Sequence, residues 1–152
     1  MKDKKSTVAV MVVFLLLISS LALAQPWKGW RGSGGWGMGT PYSGLYNPAL
    51  ADTLIGEVVK VEKVTPIKGM PYGVQILLKT EKETIPVHLG PGWYVERLDV
   101  KIVKGDKVEI KGARINLQDK PTIIAAEIKK GEAVLVLRDA NGVPVWAGWR
   151  RQ

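Results

Sequence analysis

The chain has 152 residues, a formal net charge of +8, one histidine and no cysteine. The lack of cysteine excludes disulfides, covalent c-type haem, iron–sulfur clusters and thiol chemistry. The basic charge is compatible with attraction to anionic lipid, polysaccharide or nucleic acid, although such a charge more often only keeps a protein soluble.

The first 24 residues predict a secretory signal peptide. Three lysines precede an unbroken apolar run over residues 8–17, and small residues stand at positions 22–24, where signal peptidase needs them. We predict cleavage between Ala24 and Gln25, and therefore a periplasmic or secreted protein. The alternative is an uncleaved anchor, because the apolar stretch is only slightly shorter than the roughly 20 residues of a membrane-spanning helix. Cleavage would leave 128 residues with 19 basic and 13 acidic side chains, which is enough for one domain.

Residues 25–52 predict a flexible arm, because they are rich in glycine and aromatic residues and have no apolar periodicity. The aromatic residues are too numerous for a purely solvating linker. We therefore expect some of them to dock on the domain or on a partner. They are Trp27, Trp30, Trp36, Tyr42 and Tyr46.

The remaining residues, 53–152, predict a single domain of short β-strands followed by a C-terminal WAGWRR extension. Gly56 predicts a bend or bulge in the long first strand, and Pro86 places the third strand at a sheet edge or at a bulge. The segment after that strand, 90–97, predicts a turn or two of helix. Alternation, β-branched residues and turn signals predict strands over 53–64, 74–79, 84–89, 107–117, 122–129 and 134–137.

The order of these elements is a long bent strand, two strands, a short helical connection and further strands. This order is typical of the OB-fold, a five-stranded Greek-key barrel. A β-sandwich or an up-and-down barrel would give a similar spacing of short strands. We therefore predict an all-β protein with an OB-type barrel of five or six strands, and keep those two architectures as alternatives.

The segments EVVKVEKV, YGVQILLKT, ETIPVHLGPGWYVE and KGDKVEIKGARI are similar to small periplasmic OB-fold proteins of bacteria. Together with KPTIIAAEIKKGEAVLVLRDANGVPVWAGWRR, the run IPVHLGPGWYVE resembles exported proteins of anaerobic and metal-reducing bacteria and the domain shared by the MamS and MamX magnetosome proteins. The resemblance covers about residues 53–151 and implies an exported OB-type domain. Some relatives combine this domain with haem-binding Cys-x-x-Cys-His segments, which this chain does not contain.

Catalytic constellations are missing from the sequence. After residue 24 the chain has only Ser33 and Ser43, both in the predicted arm, so a serine or cysteine triad is not expected. We predict no catalytic residue, no metal site and no cofactor. His88 is the one candidate for metal binding or pH sensing, but no co-ligands are spaced to accompany it, which favours a hydrogen-bonded loop histidine.

Two groups of residues are candidates for binding. OB-folds generally bind ligands on the face of strands two and three and with the neighbouring loops, which predicts a ligand set of Lys68, Tyr72, Lys79, His88 and Lys120. Aromatic and cationic side chains suited to a partner or an anionic surface form a second set: Trp93, Tyr94, Trp146, Trp149, Arg150 and Arg151. For Trp93 and Tyr94 the alternative, which we favour, is that they cap one end of the barrel.

The function predicted from these observations is a non-enzymatic exported binding or assembly module whose partner is a protein or an anionic surface of the cell envelope. One alternative is a redox or metal-related accessory protein that uses His88. A nucleic-acid or anionic-polymer binding protein is the other, although the predicted ligand face offers few aromatics for stacking.

Overall fold

The structure, a computed structural model, describes residues 34–148 as a mostly β protein. The predicted signal peptide, Trp27, Trp30 and the last predicted partner residues, Trp149, Arg150 and Arg151, lie outside the described residues. The strands are β1 (Ala51–Val64), β2 (Gly73–Lys79), β3 (Thr84–Pro91), β4 (Lys107–Leu117), β5 (Lys120–Lys130) and β6 (Ala133–Val136). One α-helical turn, α1 (Gly92–Val95), follows β3, and 3₁₀ helices span Ser43–Leu45, Pro48–Leu50 and Val145–Gly148.

The strands form one sheet that closes into a barrel-like ring. The hydrogen-bonded order is β3-β2-β1-β4-β5-β6, and β3 also pairs with β5. This closing pair is parallel, and it joins Val87 to Ile123 and His88 to Ile124. An up-and-down barrel has only antiparallel neighbours, so the parallel closure and the helix between β3 and β4 confirm the predicted OB-type barrel.

β1 belongs to both halves of the ring because it bends in the middle. Its first half pairs with β4 and its second half with β2, and the two pairings overlap at Glu57. At Gly56 a Cβ atom would lie 2.5 Å from the carbonyl oxygen of Lys79, so the backbones can approach only with glycine there. A register shift between Val58 and Lys60 adds a bulge. The predicted bend at Gly56 is therefore confirmed.

The hairpin between β4 and β5 turns earlier than the sequence predicts. Gln118 and Asp119 have φ values of 50° and 62°, which is the left-handed pair that a two-residue hairpin needs. Lys120 and Pro121 consequently pair with β4 instead of forming the turn. The gap between the predicted strands places the turn at Asp119-Lys120-Pro121, because aspartate and proline are common turn residues and glutamine is not a usual residue at a positive φ.

The segment before β1 differs from the predicted flexible arm. Trp36 is fully buried, and Tyr42 and Tyr46 are buried with it. The Trp36 indole donates to the carbonyl oxygen of Pro71 over 2.9 Å, and its ring covers Gly73 so closely that no Cβ would fit there. Three aromatic side chains at irregular spacing show no periodicity in the sequence, yet together they bury a large apolar area. The expectation that some aromatic residues of the arm dock on the domain is therefore confirmed, and the described part of the predicted arm is part of the core.

The C-terminal segment packs against the same place. Trp146 is only 1% exposed, and its indole donates to the backbone oxygen of Trp36 over 2.9 Å. A Cβ at Gly90 would lie 2.8 Å from the Trp146 ring, so glycine allows the indole to lie on the sheet. The partner-binding role predicted for Trp146 would need an exposed ring, but the tight turn at Gly142 folds the chain back onto the barrel and the ring is buried. No helix within residues 34–148 is long and apolar enough to span a membrane.

Candidate ligand-binding site

The structure does not bring the predicted ligand set together. Lys68 and Tyr72 lie in the β1–β2 loop, whereas Lys79 is at the far end of β2. Seven residues of extended strand separate the two ends by roughly 20 Å. Lys120 is exposed at the β4–β5 hairpin. The four exposed residues therefore do not form one site, and His88 is buried.

His88 is 2% exposed because Tyr42, from the segment before β1, packs over it, so it does not lie at a loop surface. Its Nδ1 is 2.9 Å from the Tyr42 hydroxyl, and its Nε2 is 3.1 Å from the Oε1 atom of Gln75. The Gln75 amide nitrogen donates to Glu62 over 2.7 Å, and Glu62 pairs with Lys60 over 3.0 Å. We call these five residues, Tyr42, His88, Gln75, Glu62 and Lys60, the polar chain, because they run from the interior to the surface.

The polar chain fixes the protonation state of His88. A carboxylate only accepts hydrogen bonds, so the Gln75 nitrogen faces Glu62 and its oxygen faces His88. His88 must then carry its proton on Nε2 and accept the Tyr42 hydroxyl at Nδ1. Burial lowers the pKa of His88 from 6.5 to about 4 and raises the pKa of Tyr42. The neutral imidazole therefore links residue 42 to the barrel, and both of its nitrogens are occupied.

A cavity of about 280 Å³ opens at the α1 end of the barrel. α1 is only one turn long, so the loop between α1 and β4 covers this end in place of a longer helix. Half-buried Glu62 and exposed Lys63, Glu96 and Lys101 complete the lining. The apolar lining comes from β1, β2, β3, α1, the α1–β4 loop and β6: Val61, Val74, Leu89, Val95, Val100, Ile102 and Leu135.

The acidic groups beside the cavity are already hydrogen-bonded within the protein. Lys60 and Gln75 hydrogen-bond the Glu62 carboxylate and lower its pKa. The Glu96 carboxylate accepts from the Tyr72 hydroxyl over 2.9 Å, and the Nζ of Lys63 lies 4.5 Å from the centre of the Tyr72 ring. Of the exposed residues in the predicted ligand set, Tyr72 therefore borders the cavity, through Glu96.

The predicted partner residues on α1 cap the barrel. Tyr94 is buried, with its ring centre 5.4 Å from that of Trp146, and half-buried Trp93 packs edge-on against Tyr94 at 6.2 Å. These contacts agree with the capping alternative of the sequence analysis, since both rings join the apolar core. α1 thus packs against the core through Tyr94 and Trp93 and lines the cavity through Val95.

Sequence reasoning missed Arg138, which is 3% exposed. Its Nη1 donates to the carbonyl oxygen of Gly142 over 3.0 Å. The guanidinium lies 5.1 Å from the ring centre of Tyr46 and 5.6 Å from that of Trp146. The sequence feature that could have indicated its burial is its position directly after the apolar run VLVL. Arg138 holds the C-terminal hairpin to the segment before β1 by cation–π contacts.

Comparison with known proteins identifies one family. A family model described as the MamS/MamX magnetosome protein family matches residues 51–135, more than half of the chain. The matched span begins with β1 and ends within β6, so it holds the whole ring, α1 and every residue that lines the cavity. No curated protein matches the chain.

The lowered pKa of His88 predicts acid sensitivity of the fold. In the unfolded chain His88 binds a proton near pH 6.5, but in the folded protein only near pH 4, so the unfolded state binds more protons in that window. Above pH 6.5 the imidazole is neutral in both states and costs no stability. As the pH falls below 6.5, the free energy of unfolding decreases by up to about 1.4 kcal/mol per pH unit. Urea unfolding at several pH values, with parent and His88→Gln, measures this slope.

The carboxylates whose pKa values are lowered, Glu62, Glu83 and Asp106, are present in both proteins, and they change the stability mainly below about pH 5. The difference in slope between the two proteins in the interval from about pH 5 to 6.5 therefore reports the imidazole. We expect the slope of stability against pH in this interval to flatten in His88→Gln. An equal slope in both proteins would show that another group titrates.

Proposed function

The chain belongs to the MamS/MamX magnetosome protein family, and from that premise we propose that it is a non-enzymatic binding module of the cell envelope. In this proposal the predicted signal peptide exports the chain, and the cavity at the α1 end of the barrel takes an apolar group of the ligand. Membership associates the chain with magnetosome proteins. The ligand site is proposed from the geometry of this chain alone.

The observation that carries the proposal is the cavity itself. Seven of its eleven lining residues are apolar, and its volume of about 280 Å³ is close to the lower end of ligand pockets, roughly 300–1,000 Å³. A barrel of this size normally fills its interior with side chains. An apolar space much larger than a water molecule is therefore not a requirement of the fold, and it suits a small apolar group.

The hydrogen bonding of His88 favours this proposal over a metal or redox accessory role. A metal ligand must present a ring nitrogen lone pair, but Nδ1 accepts from Tyr42 and Nε2 donates to Gln75. His88 is also buried, so a ligand exchange would first have to open the core. Within the described residues, no three histidine, aspartate or glutamate side chains come together as a candidate metal site.

The scarcity of exposed aromatic side chains among residues 34–148 favours the proposal over nucleic-acid binding. Single-stranded nucleic acid stacks its bases on exposed aromatic side chains in a basic groove. Among residues 34–148, Tyr72 is the exposed aromatic residue, with 39% of its surface accessible. Lys63 covers that ring and Glu96 accepts its hydroxyl, so it is not presented as a platform.

Filling the cavity tests the proposed site. Val100 lines it from a loop, so Val100→Trp should place an indole in the space without opening the barrel. Val136 on β6 is 45% exposed, and Val136→Trp is the matched control on the outer face. We expect the neutral fluorophore N-phenylnaphthylamine to bind the parent and the control, and Val100→Trp to weaken its binding by about 10-fold or more.

Binding is measured as the rise in probe fluorescence during titration, and thermal unfolding shows that both variants are folded. A parent that does not bind the probe, or a Val100→Trp variant that binds as tightly as the control, would contradict the proposal.

Export is tested separately by intact-mass analysis of the protein made from the full-length sequence. The small residues before Gln25 predict a periplasmic product that begins at that residue. A product that keeps residue 1 and sediments with the membrane fraction would show that the segment is an anchor.

A further inference from the structure

The cavity continues into a second, shallower hollow along the outside of β1. Val61 and Ile102 line both hollows, so their apolar surface is continuous. Val59 and Val103 extend the apolar floor of the second hollow, and Lys60 and Lys104 complete its lining. A ligand that enters the cavity with one end therefore leaves the other end beside lysine side chains.

The charges around the two hollows do not cancel. Four lysines and two glutamates line them. Lys60 is paired with Glu62, and the Glu96 carboxylate is hydrogen-bonded to Tyr72. Among the described residues, no carboxylate lies within ion-pair distance of the three remaining cations, which are Lys63, Lys101 and Lys104.

These lysines lie at the solvent-exposed border of the two hollows. All three are exposed residues. Lys101 Nζ donates to the backbone oxygen of Glu96 over 2.5 Å, and Lys63 lies over the Tyr72 ring, so two of the cations are held at the mouth by contacts that leave their charge uncompensated. A cationic mouth above an apolar floor is complementary to a molecule with an apolar end and an anionic end.

We infer that this cavity binds an amphipathic anion with one short apolar chain, whose head group contacts Lys63, Lys101 and Lys104. The inference rests on the proposed function, because it names the ligand class of the same cavity. A volume of about 280 Å³ admits one short chain and is too small for the two long chains of a phospholipid. The ligand is therefore a single-chain carboxylate or a comparable monoanion.

A series of ligands with one tail and three head groups tests the inference. Octanoate, octanol and octyltrimethylammonium displace N-phenylnaphthylamine from the parent protein in separate titrations at low salt. We expect octanoate to displace the probe at a concentration about 10-fold lower than octanol, and octyltrimethylammonium to be the weakest. Added salt should reduce the advantage of octanoate over octanol, because exposed charges are screened.

Two double variants of equal charge separate the mouth from the overall charge of the protein. Lys63→Gln with Lys104→Gln removes two cations at the cavity, whereas Lys107→Gln with Lys111→Gln removes two exposed cations of β4. We expect the first pair to bring octanoate close to octanol when the two ligands are compared on the same variant. The second pair should leave the order of the three ligands as in the parent.

The outcomes distinguish this inference from the proposed function. If the probe binds and the three ligands displace it equally, the cavity stands and the anionic ligand class is wrong. Equal effects of the two double variants would also overturn the inference, because net charge alone would explain them. If the probe does not bind the parent, the proposed function itself fails.

Discussion

Burial of the Trp36 indole is the contact on which both ends of the described chain depend. Its ring lies on Gly73 at the start of β2, its nitrogen donates to Pro71, and its backbone oxygen accepts from the Trp146 indole. The segment before β1 and the hairpin after β6 therefore meet at one side chain. A chain without cysteine cannot join its ends by a disulfide, so packing and hydrogen bonds at this point must do so.

The same anchoring connects the core to the candidate site. The segment held by Trp36 positions Tyr42, whose hydroxyl fixes His88, and the polar chain then continues through Gln75 to Glu62. Glu62 is also part of the cavity wall. Its carboxylate accepts from Gln75 and pairs with Lys60, so it does not pair with the other lysines at the cavity. The polar chain and the cavity thus share Glu62, whose charge is paired with Lys60 and does not neutralise Lys63, Lys101 or Lys104.

The sequence predicts the strands of the ring well, because apolar and polar residues alternate along them and turn residues stand between them. β4 has the predicted bounds, Gly56 marks the bend of β1, and α1 falls within the predicted segment. The buried aromatic residues outside the ring could not be predicted in this way. Trp36 and Trp146 stand in irregular segments, where burial depends on tertiary contacts that leave no period in the sequence. The cavity was missed for a related reason, since its lining comes from six separate elements and each side chain alone looks like an ordinary core valine or leucine.

Unfolding of Trp36→Ala in denaturant, compared with Met38→Ala, tests most directly whether residues 34–50 belong to the core. Trp36 is 0% exposed and Met38 is 45% exposed, although only one residue lies between them. The account predicts that the free energy of unfolding falls by about 3–5 kcal/mol in Trp36→Ala and by less than about 1 kcal/mol in Met38→Ala. Equal small losses in the two variants would contradict it, because they would show that the segment is an arm that the barrel does not need.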